Sequence, residues 1–531
     1  MVATSSLASV AGAQEVPEEP KFEERFVLDS GRFDPPAADP ERVRFGLHGE
    51  YQLRFRANND LPLEPPIGAA PGADETLGQR FYLYHWLRIK PILRFRKAID
   101  VVGEIDVPRG MIAGEKTTLV TAARDNLSEH RWWDVHPRQL YLQYLTPVGQ
   151  FRVGHQTSHW GMGLLANDGD HPTLFGDYRR GSIVERVLFA TRPGGVDHPL
   201  VVALAGDYVF EDSRADVLDH GDRAVQGVLA VMHVELRIEF GVYGVFRHQE
   251  RDNQATGPLT AFTEELTVGV ADFAGKFNVP IAGHSAYLFG QTEAAFIGGQ
   301  TSFLRNAEQT RAGEKEWVMN WGGALRLGAV TVHECAGERW GDMVLTVEWG
   351  YASGDADPYD GTTRRFTFDE NHNVGVVLFD HVLAWKTARA ATIAQDPAIV
   401  ARGNPGLEFL PSNGGVFGAT YLYPTIVVRP RPWLDLKAGT VIAQTTSDFV
   451  DPYHAGALGN YRNYDGGDPR KHDLGIELDA GADARFTLGS VVRLQVGAEG
   501  GVLFPGRAFE DEDGNGLGNQ YLVNTKLGLI Y

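Results

Sequence analysis

The sequence is short of cysteine, of long apolar runs and of positive charge, and each shortage excludes something. With one cysteine, Cys335, in 531 residues there is no intramolecular disulfide. Cys335 sits in a His333-Glu334-Cys335 stretch with no second cysteine, which reads as an incidental thiol in a turn, not as a zinc ligand or nucleophile. No C-x-x-C-H is present, so the chain carries no covalently attached haem of its own. No apolar run reaches about 18 residues, which excludes membrane-spanning helices. It does not exclude a membrane β-barrel, whose lipid-facing residues alternate with polar ones. A formal charge of −20 argues against nucleic-acid binding, which needs clustered Lys and Arg to release counterions.

What is present is alternation. With 62 glycines and 11% aromatics the composition suits strands and turns. The final residues, Gln520 to Tyr531, read QYLVNTKLGLIY. Tyr521, Val523, Thr525, Leu527, Leu529 and Tyr531 share one face of a strand, and Gln520, Asn524 and Lys526 share the other. A terminal aromatic behind alternating apolar residues resembles the assembly signal of bacterial outer-membrane β-barrels. Near the other end, Val43, Phe45, Leu47, Gly49, Tyr51, Leu53 and Phe55 oppose Arg44, His48, Glu50, Gln52, Arg54 and Arg56. No helical period produces that separation.

The same rhythm places further strands at 80–94, 98–107, 138–146, 150–160, 183–191, 200–209, 224–234, 236–249, 264–279, 285–297, 317–329, 343–353, 416–429, 433–445, 473–486, 490–504 and 519–531. Short and long connections alternate along the series, as in outer-membrane barrels with short periplasmic turns and long extracellular loops. A soluble sandwich has no reason to gather its long loops at one end. The expected fold is therefore all-β: a transmembrane antiparallel barrel of about 18 strands spanning 42–531. Leu7 to Ala13, with Ala11-Gly12-Ala13 before Gln14, reads as the remnant of a signal peptide over 1–13. Residues 14–41, rich in Pro, Glu and Asp, read as a disordered periplasmic lead-in.

Charged residues on the inner face cannot meet lipid, so they line a wet interior. The expected lumen and substrate-binding residues are Arg44, Arg54, Arg56, Arg88, Lys90 and Arg152 on early strands. Glu348, Glu477, Asp479, Asp483 and Glu499 follow on late ones. Closing the barrel brings these basic and acidic stripes together, where they either set up a field across the lumen or pair with one another. Trp349, Tyr351, Phe486, Phe504 and Tyr521 fall near strand ends as interfacial girdles. The segment 354–414 is too long for an idle loop. Its stretch from Phe379 to Ala394 suits a short helix, and the segment either constricts the pore, plugs it or caps its mouth.

Two stretches, Phe151 to Leu165 (FRVGHQTSHWGMGLL) and Glu348 to Pro358 (EWGYASGDADP), resemble the alginate-export family of outer-membrane porins. The resemblance implies an 18-stranded barrel with a charged lumen that passes an anionic polysaccharide outward. One departure is the mixed sign of the lumen, where a polyuronate conduit calls for Arg and Lys throughout.

Other motifs carry less. Asp511, Asp513 and Asn515 match the first half of a calcium loop, but position twelve is Leu522, which leaves at most a weak surface calcium site. Asn167, Asp168 and Asp170, like Asp355, Asp357 and Asp360, read as solvated turn residues. His155 and His159 are four apart on a strand, a spacing that aims both at one metal only on a helix. Ser158, His159 and Asp168 form the one grouping that suggests a rim hydrolase. The reading that follows is a non-enzymatic porin-like channel for polar or charged solutes. Alternatives are a dedicated exporter of an anionic, alginate-type polysaccharide, and a rim enzyme or barrel sheath around a redox partner. Expected partners are outer-membrane lipid and lipopolysaccharide, the barrel-assembly machinery through the C-terminal strand, and the solute or polysaccharide.

Overall fold

The computed structural model describes residues 43–531 apart from 65–74, 97, 118, 120–133, 177–179, 196, 219–220, 254–261, 282–285, 304–312, 332–341, 396–410 and 490–491. Cys335, the signal-peptide remnant 1–13 and the lead-in 14–41 lie outside the described residues.

Among the described residues the chain closes into an antiparallel barrel of 18 strands. The first six are β1 (Val43–Asn58), β2 (Phe81–Phe95), β3 (Ile99–Gly114), β4 (Asp134–Thr146), β5 (Gly149–Thr157) and β6 (Ile183–Thr191). Next come β7 (Leu200–Asp212), β8 (Arg223–Val234), β9 (Ile238–Asn253), β10 (Phe262–Ile281), β11 (Ala286–Thr301) and β12 (Glu316–Thr331). The last are β13 (Asp342–Ala352), β14 (Ala419–Arg431), β15 (Leu434–Thr445), β16 (Asp473–Leu488), β17 (Val492–Pro505) and β18 (Gln520–Ile530). Each pairs with its neighbour in sequence, and β18 returns to pair with β1 from Glu50↔Ile530 to Asn58↔Leu522. The seam continues one step further, where Gly49 and Tyr531 exchange backbone hydrogen bonds of 3.2 and 3.0 Å. A Cβ on Gly49 would stand 2.2 Å from the Tyr531 ring, so the terminal aromatic lies flat against the one residue that leaves room for it.

Outside, the barrel presents the apolar set. Leu53, Leu345, Val347, Leu422, Ile442, Ile476, Leu478, Val496, Val523 and Leu527 all point away from the lumen. Trp317, Trp321, Trp349, Phe504 and Tyr521 ring the long-loop end. Phe95, Tyr144, Phe151, Phe277, Trp433 and Phe486 ring the short-turn end, Trp433 stacking on Phe486 at 5.7 Å. A belt of aliphatic residues between two aromatic bands fits a bilayer.

One strand runs longer than its sequence suggests. The alternation at 98–107 stops at Pro108, yet β3 continues to Gly114. Proline lacks the N–H a ladder needs, and the sheet absorbs this in register shifts against β2 (between Trp86 and Arg88) and β4 (between Asp106 and Arg109). Within 353–418, the expected helix is a π-helical segment, Leu378–Leu383, running directly into α1 (Ala384–Gln395). A second short helix, α2 (Pro452–Leu458), lies between β15 and β16.

Val347 is the middle residue of β13 and faces outward. Val347→Arg therefore puts a charge against hydrocarbon, at a cost of about 2–4 kcal/mol near the bilayer midplane. Reversible guanidinium titration of the protein in lipid vesicles measures that loss directly.

Candidate functional site: the barrel lumen

The inner face carries the polar set, as alternation requires, but it is not uniformly wet. Toward the long-loop end β11 to β18 turn small or apolar residues inward, among them Ala295, Ala324, Ala352, Tyr421, Tyr423, Val441, Leu474, Leu503 and Leu522. Connections that fold onto this surface include the described parts of 158–182 and of 353–418. Leu164, Phe175, Phe366, Phe368, Val376, Leu378, Phe379, Val382 and Leu383 join the wall residues in one buried apolar cluster. The stretch 366–383 thus packs on the inner wall, whereas α1 meets other long loops, Lys386 pairing with Asp465 and Arg389 with Glu75.

Wall carboxylates hold these loops by their backbone. Glu477 on β16 is fully buried (0% exposed) and accepts from the N–H groups of Val376, Val377 and Leu378 at 2.6, 2.7 and 2.7 Å. Those N–H groups open the helical segment and have no partner within it, so the barrel wall supplies the cap. Glu293 on β11 does the same for the other loop, accepting from Met162 N–H and Leu164 N–H, the latter at 3.0 Å. His372 bridges the two systems, with Nε2 3.0 Å from Glu348 of β13 and Nδ1 3.1 Å from the Met162 carbonyl. Thr173 donates to the Asn373 carbonyl at 2.7 Å, and Asp369 N–H donates to Leu164 at 2.7 Å.

Most of the residues expected in the lumen do face it, and most are paired. Arg56 meets Asp380 of the inner segment at 3.0 Å. Arg88 is bidentate to Asp106 at 2.8 and 3.1 Å and also reaches Asp170. Lys90 pairs with Glu104 at 3.0 Å, and Arg152 donates to Gln143 at 2.8 Å while covering the Tyr141 ring. Arg54 is buried with its guanidinium 5.5 Å from the Trp86 ring centroid. Glu348 takes Arg326, His372 and the Tyr421 hydroxyl together. Asp483 and Glu499 share Lys437 and Lys526, with the Lys437 bonds at 3.3 and 2.7 Å. Arg44 is exposed near the short-turn rim.

Two expectations need correction. Glu477 and Asp479 do not border water. Both are buried under the inner segment, with Val376, Val377 and Asp479 all pressing on Gly501. Asp168 and Asp170 are not solvated turn residues either. The 158–182 loop carries them inward, where Arg138 of β4 donates to Asp170 Oδ1 at 2.8 Å and to the Asp168 carbonyl at 2.6 Å. By contrast, Asp511 is an exposed turn residue whose oxygens accept from Asp513 N–H at 2.9 Å and from Asn515 N–H at 2.8 Å. Sequence reasoning missed Glu104, Asp106, Arg138, Glu293, Lys437 and the loop residues His372 and Asp380. Lys437 and Glu293 sit at inward positions of plain alternating strands, so the rule that found Glu477 would have found them. His372 and Asp380 had no periodic signal at all.

The rim grouping does not assemble as a hydrolase. Ser158 Oγ receives a 3.2 Å hydrogen bond from Arg186 of β6, whereas His159 turns toward Asp168. His155 points elsewhere and pairs with Glu185 at 2.6 Å.

No protein-family model matches the sequence, and no curated protein matches it. Solved structures of similar shape include Acinetobacter baumannii OccAB1, at 11% identity over 93% of this chain and 100% of that chain, with a TM-score of 0.45. Pseudomonas aeruginosa OccK5 (OpdH) shares 10% identity over 92% of this chain and 98% of that one, TM-score 0.45. Pseudomonas aeruginosa OpdQ shares 9% identity over 92% and 97% respectively, TM-score 0.47.

Proposed function

We propose that this chain is an outer-membrane channel that lets small polar or charged solutes cross passively, with the described parts of 158–182 and 353–418 setting its bore. The observation that carries this is the pairing of an apolar, aromatic-banded exterior with a charged interior around a lumen too wide for its wall side chains to fill. Parts of these loops pack on the inner wall, Val376 to Leu378 on Glu477 and Met162 and Leu164 on Glu293. Lys90 and Arg326, whose side chains keep 24% and 26% of their surface accessible, are wall cations that solutes would meet. The C-terminal strand, Gln520–Ile530 with Tyr531 after it, is the element the assembly machinery would read.

Export of an anionic polysaccharide is the narrower alternative, supported by the resemblance of 151–165 and 348–358 to alginate-export porins. In this barrel those stretches hold the inward loops in place: Leu164 binds Glu293, and Glu348 binds His372. Among the described residues nearby, Arg326 is paired with Glu348 and Arg186 with Asp207, so less positive charge is left for a polyanion. Small solutes suit this wall better.

Single-channel recording of the refolded protein in planar bilayers, with reversal potentials under a salt gradient, tests the reading. Small, uniform conductance steps are expected, and deleting 366–411 should enlarge them severalfold. A barrel that stays heat-modifiable yet passes no current, with and without the deletion, would rule the channel out.

Glu477→Ala gives a gentler opening of the same constriction. It leaves three backbone donors without an acceptor, and hydrogen bonds to a charged group contribute about 1.5–3 kcal/mol each. The inner segment should then show faster amide exchange over 376–395, and open-channel noise should rise while the barrel remains folded.

A further inference from the structure

The loop that carries Asp168 inward also brings two histidines to it. His171 Nδ1 lies 2.9 Å from Asp168 Oδ1, and His159 Nδ1 lies 3.5 Å from the same oxygen. One ligand atom from each of the three falls within 4.8 Å of the others. We propose that His159, Asp168 and His171 form a binding site for a first-row transition-metal dication, zinc foremost, inside the barrel. The site stands on its own geometry and does not depend on the transport reading.

Three features suit a metal at this cluster. The first is spacing. Zinc binds imidazole nitrogen and carboxylate oxygen at about 2.0–2.1 Å, which sets tetrahedral ligand atoms about 3.3 Å apart. The observed 2.9 and 3.5 Å bracket that value. The second is unsatisfied donor capacity. His159 and Asp168 are 8% and 1% exposed, and His159 Nδ1 and Asp168 Oδ2 make no hydrogen bond. Buried polar atoms rarely stay unengaged without a reason. The third is the donor set: two imidazoles with one carboxylate suit zinc and its neighbours, whereas calcium and magnesium require oxygen throughout.

The surrounding chain holds these ligands in place. Asp170 N–H donates to Asp168 Oδ1 at 3.0 Å and fixes the carboxylate, while Arg138 grips the Asp168 carbonyl. Gly181, at φ +76°, packs on the Asp168 backbone so closely that a Cβ would come within 2.1 Å of it. Arg88 and Arg138 direct their charge at Asp170, which leaves the Asp168 carboxylate to the histidines. The His171 side chain keeps 31% of its surface accessible, so an ion can enter from the lumen and keep water as its fourth ligand. Once bound, it would tie the 168–171 turn to the end of β5 and brace the whole inward loop.

Zinc titration calorimetry on the full-length, EDTA-stripped protein without a polyhistidine tag tests the site. One saturating ion per chain is expected, with a zinc-dependent rise in melting temperature. His171→Ala and Asp168→Asn should each weaken binding by at least about 10–100-fold, the loss usual even for outer-shell partners. His155→Ala should leave binding unchanged. His171 is partly exposed, so its variant should fold even if Asp168→Asn does not, and heat-modifiability on gels reports folding for each. Absence of a saturable zinc site would overturn the proposal. So would zinc affinity that survives in a folded His171→Ala protein, or calcium binding as tight as zinc.

Discussion

In hydrocarbon a backbone N–H has no water to bond, and the architecture of the wall follows from that constraint. A sheet meets it only by closing on itself, which here means β18 hydrogen-bonding to β1 along nine register pairs from Glu50↔Ile530 to Asn58↔Leu522. Closure forces strict alternation, because the period of two turns any slip of register into an exchange of lipid-facing and lumen-facing residues. It also fixes the width. A wall of 18 strands encloses more space than its own side chains occupy, so the interior must be filled by water, by other chain segments, or by both.

This barrel fills part of it by repeating one device. A carboxylate on an inward position of a strand accepts two or three N–H groups from an incoming loop, Glu293 for Met162 and Leu164, and Glu477 for Val376 to Leu378. Burying a carboxylate is costly unless its oxygens are engaged, and opening a helix away from water leaves donors unpaired. Each deficit satisfies the other. The apolar patch that Leu474, Leu503 and Leu522 turn inward then gives the rest of the segment something dry to pack on.

The barrel was readable from sequence because alternation is local and repeats strand after strand. The number of strands, the closure and the burial of Gln52, Arg54 and Glu477 on the inner face all follow from it. The strand expected at 98–107 continues to Gly114 past Pro108, and it is the pairing with β2 that shows this. The interior was not readable in the same way. Whether Glu477 faces water or a helix depends on a segment about 100 residues earlier in the chain. His159, Asp168 and His171 likewise meet only because the loop turns at glycines 161, 163 and 169, all with positive φ. Residue periodicity says nothing about where such a loop goes.

The two inward loops behave as one body. They share an apolar cluster and are joined by Thr173 to Asn373, Asp369 to Leu164 and His372 to Met162. Withdrawing either one alone would strip apolar surface from the other and break the hydrogen bonds that join them. Where wall charges are matched, as Arg88 is with Asp106 and Lys437 with Glu499, their fields fade quickly with distance, as those of dipoles do. If solutes pass as proposed, Lys90 and Arg326, which keep about a quarter of their side-chain surface accessible, are wall cations they would meet.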